Sequence, residues 1–249
     1  MHGRAVREAA MKMLADGRSL SSVAAELGIA RSTLRSWRDS GIEPVRRRPC
    51  FVCAGEPLPV PGAYAALLGY YLGDGYVSRQ RSTYSLRVSC DAGYPGIVED
   101  VGRLVAAVRG AGPVGHVRAP GCIVVVGYWS HWPCVFPQHG PGRKHERALT
   151  LTDWQREALR SHPADFLRGL FHSDGCRVAN WTSHHVEGTT RIYEYARWQF
   201  VNHSEEIREW CTLALDVLGI PWRASNWKTI SVSRRRGVEA LDRLIGLKV

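Results

Sequence analysis

Apolar positions along this chain recur with two different periods. From Ser19 to Ser40, "SLSSVAAELGIARSTLRSWRDS", they fall at Val23, Ala24 and Leu27, then Ile29, then Leu34 and Trp37. Steps of three and four residues predict two short amphipathic helices, the first opened by Ser21 or Ser22 and the second by Arg31 or Ser32. Gly28 supplies a permissive backbone for the sharp turn, and Ile29 plugs the space between the helices. A leading helix is expected from roughly Arg4 to Asp16. Later segments change period. "YSLRVSCD" and "RWQFVNHS" read as strands, while "HVRAPGCIVVVGYWS" and "WRASNWKTISVS" read as turn-linked strand pairs. "YPGIVEDVGRLVAAVR", "SEEIREWCTLALDVLG" and "GVEALDRLIG" return to helical spacing.

One pattern occurs twice. "LLGYYLGDG" spans Leu67–Gly75 and "LRGLFHSDG" spans Leu167–Gly175, each with Gly third and Asp-Gly last. Each follows a Pro break and carries long apolar side chains at helical spacing, so each reads as a helix stopped by its final glycine. Gly69 and Gly73 share a face of the first helix; Gly169 and Ser173 take those places in the second. Small residues four apart let two helix backbones approach closely. Packing by those faces brings Asp74 and Asp174 together, and two such carboxylates repel unless a divalent cation lies between them. Carboxylates suit a hard ion such as Mg2+ or Mn2+, which polarises a phosphodiester.

Charge sharpens the picture. The chain has 33 Lys+Arg against 23 Asp+Glu, a formal net charge of +10. Such an excess favours a polyanionic partner, because basic side chains release counterions from nucleic acid. Residues 1–48 hold ten of the basic and five of the acidic residues. Between Pro44 and Pro61 the chain reads as a Pro-rich linker carrying Arg46, Arg47 and Arg48, which either track phosphates or lie solvated. No apolar run approaches the roughly 20 residues of a spanning helix, so no membrane partner is expected. Seven cysteines without regular spacing read as reduced thiols, and a cytoplasmic, nucleoid-associated protein is expected. Cys50 and Cys53 form half of a zinc site. Cys134 with His139 or His145 could supply the rest, but no spacing demands it, so zinc is not expected. The His131–His145 segment reads as a Pro-stiffened connection, with a metal site as the alternative.

These residues carry two resemblances. The first 43 residues resemble the helix-turn-helix of transposase and resolvase DNA-binding domains, whose second helix enters the major groove. That implies Ser32, Thr33, Arg35, Ser36 and Arg38 as DNA-facing. The paired nonapeptides resemble the LAGLIDADG (dodecapeptide) homing endonucleases in their single-chain, two-motif form, over approximately residues 58 to 249. Asp74 and Asp174 match the family's metal-binding acidic position, while Leu72 and His172 replace the acid usual two residues earlier. The resemblance implies an α+β chain: a duplicated, pseudo-twofold αββαββα saddle, preceded by an all-α helix-turn-helix domain. Its expected divisions are 1–43, the linker 44–61, a first half 62–162 and a second half 163–249.

On the same comparison Asp74, Asp174, Lys144 and Lys228 are the catalytic candidates, and Gly73 and Ser173 join the acids around Mg2+ or Mn2+. Strand arginines Arg87, Arg118, Arg177, Arg197 and Arg223 are expected to meet double-stranded DNA. The chain is expected to be a monomer, an internal pseudo-dimer. The implied activity is site-specific, Mg-dependent DNA cleavage. The alternatives are a transcription regulator that grips DNA without cutting it and a helper of RNA splicing.

Overall fold

The computed structural model describes residues 2, 4–40, 49–110, 112–186 and 189–249, without the side chains at 4, 40, 184 and 186. It divides into two compact units, Met1–Arg48 and Pro49–Val249. The expected phosphate-tracking run Arg46–Arg48 lies outside the described residues.

In the first unit, α1 (Arg4–Ala15), α2 (Leu20–Leu27) and α3 (Arg31–Ser40) enclose a small core of Ala10, Val23, Ile29, Leu34 and Trp37. The cap of α2 is Ser19, not Ser21 or Ser22: the Ser19 hydroxyl accepts from the Ser22 amide at 3.1 Å. Gly28 ends that helix at φ +62°, a left-handed turn that disfavours any side chain. Burying Leu34 and Trp37 leaves Ser32, Arg35, Ser36 and Arg38 exposed on α3, with Thr33 half-buried.

The second unit begins with α4 (Phe51–Ala54), α5 (Pro61–Asp74), β1 (Gly75–Arg79), β2 (Tyr84–Asp91) and α6 (Pro95–Arg109). It continues through β3 (Val114–Ala119), β4 (Cys122–Tyr128), α7 (Trp132–Val135) and α8 (Asp153–Ser161). A second round follows: α9 (Pro163–Asp174), β5 (Gly175–Val186), β6 (Thr189–Val201), α10 (Glu205–Val217), β7 (Arg223–Asn226), β8 (Thr229–Val232) and α11 (Arg235–Ile245). The rounds build two antiparallel sheets of identical topology, β1-β2-β4-β3 and β5-β6-β8-β7. From Cys50 onward the Pro-rich segment packs on this unit, with Phe51 edge-on to Trp154 at 5.5 Å.

Strand alternation gives each sheet one helix-covered face and one open face. Val77, Leu86, Val88 and Val125 are buried on the covered face of the first sheet; Trp198, Phe200, Ile230 and Val232 are buried on that of the second. Register then assigns the strand arginines. Arg87 pairs with Tyr76, and Arg197 with Val178, on open faces; Arg223 pairs with Ser231 on the open face of the second sheet.

Two expected DNA-facing arginines fall on the other side. Arg118 pairs with Ile123, on the covered face, at an edge strand. Arg177 pairs with the buried Trp198, and its guanidinium binds Asp242 of α11 at 2.9 and 3.0 Å. Asp242 also accepts from the Trp198 indole at 2.8 Å, so Arg177 is fastened inside the second half.

The halves differ in one respect. Strands β5 and β6 have 12 and 13 residues, against 5 and 8 for β1 and β2. Sequence periodicity picks out only 197–204 here, because the outer part of the ribbon has no buried face. Trp181 and Ile192 remain 65% and 66% exposed there. Among the described residues, no helix is long and apolar enough to cross a membrane.

Candidate active site

The centre of the second unit is the crossing of α5 and α9. Every residue of α5 from Tyr64 to Leu72 is buried, as expected of a helix apolar on all sides. The glycines set the closeness of approach. A Cβ on Gly69 would stand 2.8 Å from the Leu170 amide nitrogen and 3.0 Å from the Gly169 Cα. A Cβ on Gly169 would stand 2.7 Å from the Tyr70 amide nitrogen and 3.0 Å from the Gly69 Cα. One turn further, a Cβ on Gly73 would meet the Ser173 Cβ at 2.6 Å and an Asp174 carboxylate oxygen at 3.4 Å. The helices therefore touch backbone to backbone, and their acidic ends are neighbours.

The final glycines work differently from the expected helix stop. Gly75 and Gly175 have φ −88° and −96°, extended values open to any residue. Their requirement is space: a Cβ at Gly175 would lie 2.7 Å from the Phe171 Cα. The chain passes directly from helix into strand, which fixes Asp74 and Asp174 at the helix–sheet junctions.

The two acids open into separate depressions. Asp74 shares one with Tyr70, Ser89, Asp91, His172 and Lys248. Asp174 shares the other with Tyr76, Arg143, Lys144, Asn202 and His203. Each depression has one lysine, and the two lysines are placed alike. Lys144 donates to the Leu72 carbonyl at 3.1 Å and to the Gly73 carbonyl; Lys248 donates to the Ser173 carbonyl at 3.2 Å. The carbonyls of Gly73 and Ser173, the residues expected to join the acids around a metal, thus face ammonium groups. Lys228, expected as the counterpart of Lys144, lies instead in the β7–β8 turn with its ammonium 5.8 Å from the Trp227 ring. Lys248 takes that place, arriving from the C-terminal tail behind α11.

Electrostatics set this centre apart. Neither Asp74 nor Asp174 forms an ion pair within 4.0 Å among the described residues. The Asp174 carboxylate accepts from the Asn202 amide at 2.7 Å. Burial, then the charge of Asp174, pushes the Asp74 carboxyl up to about 6, although it still reaches solvent. Burial also raises Asp174, against the Asn202 hydrogen bond and the two lysines. Lys144 is pushed down to about 8 by burial, against the pull of both acids. These groups fit a divalent cation: two neighbouring carboxylates give a hard, oxygen-rich centre whose ionised form burial disfavours despite the two lysines.

This arrangement has a measurable consequence. A carboxyl with a raised folded-state pKa holds its proton more tightly in the folded chain than in the unfolded one. Metal-free protein should therefore lose stability through Asp74 as pH rises from about 4 to about 6. Asp74→Asn should remove that component and raise stability at pH 7 by about 1 kcal/mol, a value reduced for the carboxyl's contact with water. Denaturant titrations of both proteins with chelator at pH 5 and pH 7 give the difference. Equal pH dependence in the two would contradict the raised Asp74 carboxyl.

Several neighbours lie outside the expected site residues. His172, at a consensus acidic position, contacts the Tyr70 hydroxyl at 3.2 Å and the Gly246 carbonyl at 3.3 Å, so it joins the two helices and the tail. Arg168 of α9 pairs with Asp100 of α6 across the halves. Beside Asp174, His145 and His203 rings lie 5.7 Å apart, and His203 stands edge-on to Trp227 at 5.2 Å. Of the open-face arginines, Arg87 and Arg223 are exposed, while the Arg197 Nε is buried without a partner among the described residues.

No family model and no curated protein matches the sequence. Solved structures do. The homing endonuclease I-DmoI in complex with DNA and Mn is 14% identical, with a TM-score of 0.48 over 75% of this chain and 97% of its own. The LAGLIDADG meganuclease I-AabMI bound to uncleaved DNA is 11% identical, with a TM-score of 0.46 over 73% of this chain and 82% of its own. In architecture, two rounds of helix and strand with sheets of identical topology, joined at a glycine-faced helix crossing, give the duplicated fold expected from the paired nonapeptides.

Proposed function

We propose that this chain is a site-specific, double-stranded DNA-binding protein that hydrolyses DNA phosphodiesters with a divalent cation held by Asp74 and Asp174. The observation that carries this reading is the acidic pair itself. Two adjacent carboxylates at the crossing have no ion-pair partner among the described residues. Burial raises the proton affinity of both, and the charge of Asp174 raises that of Asp74 further. Keeping them ionised costs the free protein stability near neutral pH. A chain that only grips DNA gains nothing from that cost.

Mg2+ or Mn2+ at the pair supplies charge neutralisation and Lewis acidity to a bound phosphodiester. The chain's own groups do the rest. Asn202 orients the Asp174 carboxylate. Lys144 and Lys248, held by backbone carbonyls, present positive charge at the two depressions, where a phosphate and a water molecule need positioning. With its pKa near 8, Lys144 can also exchange a proton near neutral pH. Arg87, Arg197 and Arg223 on the open faces suit base edges and phosphates, and exposed Tyr76 and Tyr128 suit the same surface.

Selection of duplexes from a random library in Ca2+, followed by addition of Mg2+, tests this reading. Retained duplexes should be cut at one position. A sequence held tightly yet never nicked with Mg2+ or Mn2+ would make the chain a regulator; preference for structured RNA would make it a splicing helper.

The first unit is read as a second DNA contact, a helix-turn-helix with α3 as reader. Deleting residues 1–48 removes ten basic side chains. It should weaken binding, shorten the footprint and flatten the salt dependence, while the cut phosphates stay the same. Arg35→Ala should cost about 1–3 kcal/mol of binding if that side chain reads a base edge. An unchanged footprint and salt slope after deletion would remove the DNA role of this unit.

A further inference from the structure

We propose that Cys50, Cys53, His131 and Cys134 hold one tetrahedral zinc ion that fastens the start of the second unit to its first half. Sequence spacing alone suggests free thiols at Cys50 and Cys53, with Cys134 and His139 or His145 as the alternative partners for a metal. The structure brings Cys134 together with His131 instead. His139 turns to the Phe136 carbonyl at 3.2 Å, and His145 lies against His203.

The four ligand atoms lie within 4.8 Å of one another. The Cys53 sulfur is 3.4 Å from Cys50 Sγ, 3.4 Å from Cys134 Sγ and 3.5 Å from His131 Nδ1; His131 Nδ1 is 3.8 Å from Cys134 Sγ. A tetrahedral zinc with its usual bond lengths requires sulfurs about 3.8 Å apart and sulfur–nitrogen separations of about 3.6 Å. The contacts already stand near those values. Three sulfurs and one imidazole nitrogen are soft ligands that select zinc over the hard cations suited to Asp74 and Asp174.

Local structure explains the convergence. Each pair has the spacing of a single turn, C-x-x-C at 50–53 and H-x-x-C at 131–134, and each begins at the residue capping a four-residue helix. The Cys53 amide points at the Cys50 sulfur at 3.5 Å, and Gly55 reverses the chain at φ +66°. Opposite, the Trp132 indole donates to the Gly127 carbonyl at 2.8 Å and pins α7 to β4. The polar neighbours of the His131 ring are the cluster's own sulfurs; its Nε2 is buried without a partner among the described residues. Helices of four residues are far too short to hold themselves. A metal joining Cys53 to Cys134 closes a loop of 81 residues, a constraint that lowers the entropy of the unfolded chain. Binding releases the thiol protons, so the site is a thiolate–zinc centre tied to folding.

The test uses the purified full-length protein. Elemental analysis should find one zinc per chain, retained through dialysis and released by a thiol-modifying reagent. Replacement by Co2+ should produce the visible and near-ultraviolet absorption of tetrahedral cobalt with thiolate ligands. Cys53→Ser and His131→Ala should lose that spectrum and the bound zinc, while Cys122→Ser, outside the cluster, keeps both. Zinc removal should lower the Tm of the wild type. Protein that purifies without zinc, takes up neither zinc nor cobalt after reduction, or carries a Cys50–Cys53 disulfide would overturn the proposal. So would zinc retained equally by Cys53→Ser and the wild type.

Discussion

Gly169→Ala is expected to cost at least about 3 kcal/mol, and Gly69→Ala nearly as much, among the largest effects of adding one methyl group anywhere in this chain. The atoms in the way are backbone, not side chain. At Gly169 they are the Tyr70 amide, the Ala66 carbonyl and the Gly69 Cα, so the methyl group fits only if α5 and α9 move apart. Separation would undo the central core, since Leu67, Leu68, Phe166, Leu170 and Phe171 are all fully buried around that crossing. Gly115→Ala serves as a control, because its Cβ meets nothing nearer than the Val126 carbonyl at 3.8 Å. Gly73→Ala is intermediate: the obstacle is the Ser173 side chain, and Ser173→Gly should rescue it in a double-mutant cycle. Chemical denaturation checks the five single variants and the double variant. Midpoints for Gly69→Ala and Gly169→Ala equal to that of Gly115→Ala would contradict the crossing.

Asp74→Asn and Asp174→Asn are expected to reduce strand cleavage by at least about a hundred-fold each, the several kcal/mol that a bound cation contributes to a phosphodiester transition state. DNA affinity should stay close to that of the wild type, because neither carboxylate is a phosphate-binding group. Lys144 and Lys248 provide the contrast. Alanine at either should lower cleavage and also weaken binding, since each brings positive charge to a depression where the proposed reaction would place a phosphate. Supercoiled-plasmid nicking and gel-shift titration on one selected site separate the two quantities. Full cleavage by Asp174→Asn would leave the acids without a catalytic role.

The duplicated helices were readable in the chain because their information is local. Gly, Gly and Asp-Gly recur in register, and a helix buried on all sides has no alternative to the centre of the fold. The sheets were readable where one face is buried, as in Val77, Leu86 and Val88, and unreadable where the β5–β6 ribbon leaves its helix layer. The faces on which the strand arginines stand were unreadable for a related reason. Arg118 and Arg177 stand in strands like Arg87 and Arg197, and only the pairing register tells the open face from the covered one. Contacts between distant segments left no trace in local pattern. Lys248 reaches the acids from the tail, and Asn202 meets Asp174 across 28 residues. The H-x-x-C at 131–134 repeats the C-x-x-C spacing at 50–53, and that shared spacing was the available signal for the cysteine cluster.

The central claim is that Asp74 and Asp174 jointly bind a hard divalent cation. Mn2+ titration followed by electron paramagnetic resonance, on protein bound to a selected duplex, tests it most directly. Wild type should immobilise Mn2+ in competition with Mg2+, while Asp74→Asn and Asp174→Asn should each weaken that binding sharply and Cys53→Ser should leave it intact. Equal Mn2+ binding by the wild type and both aspartate variants would contradict the account.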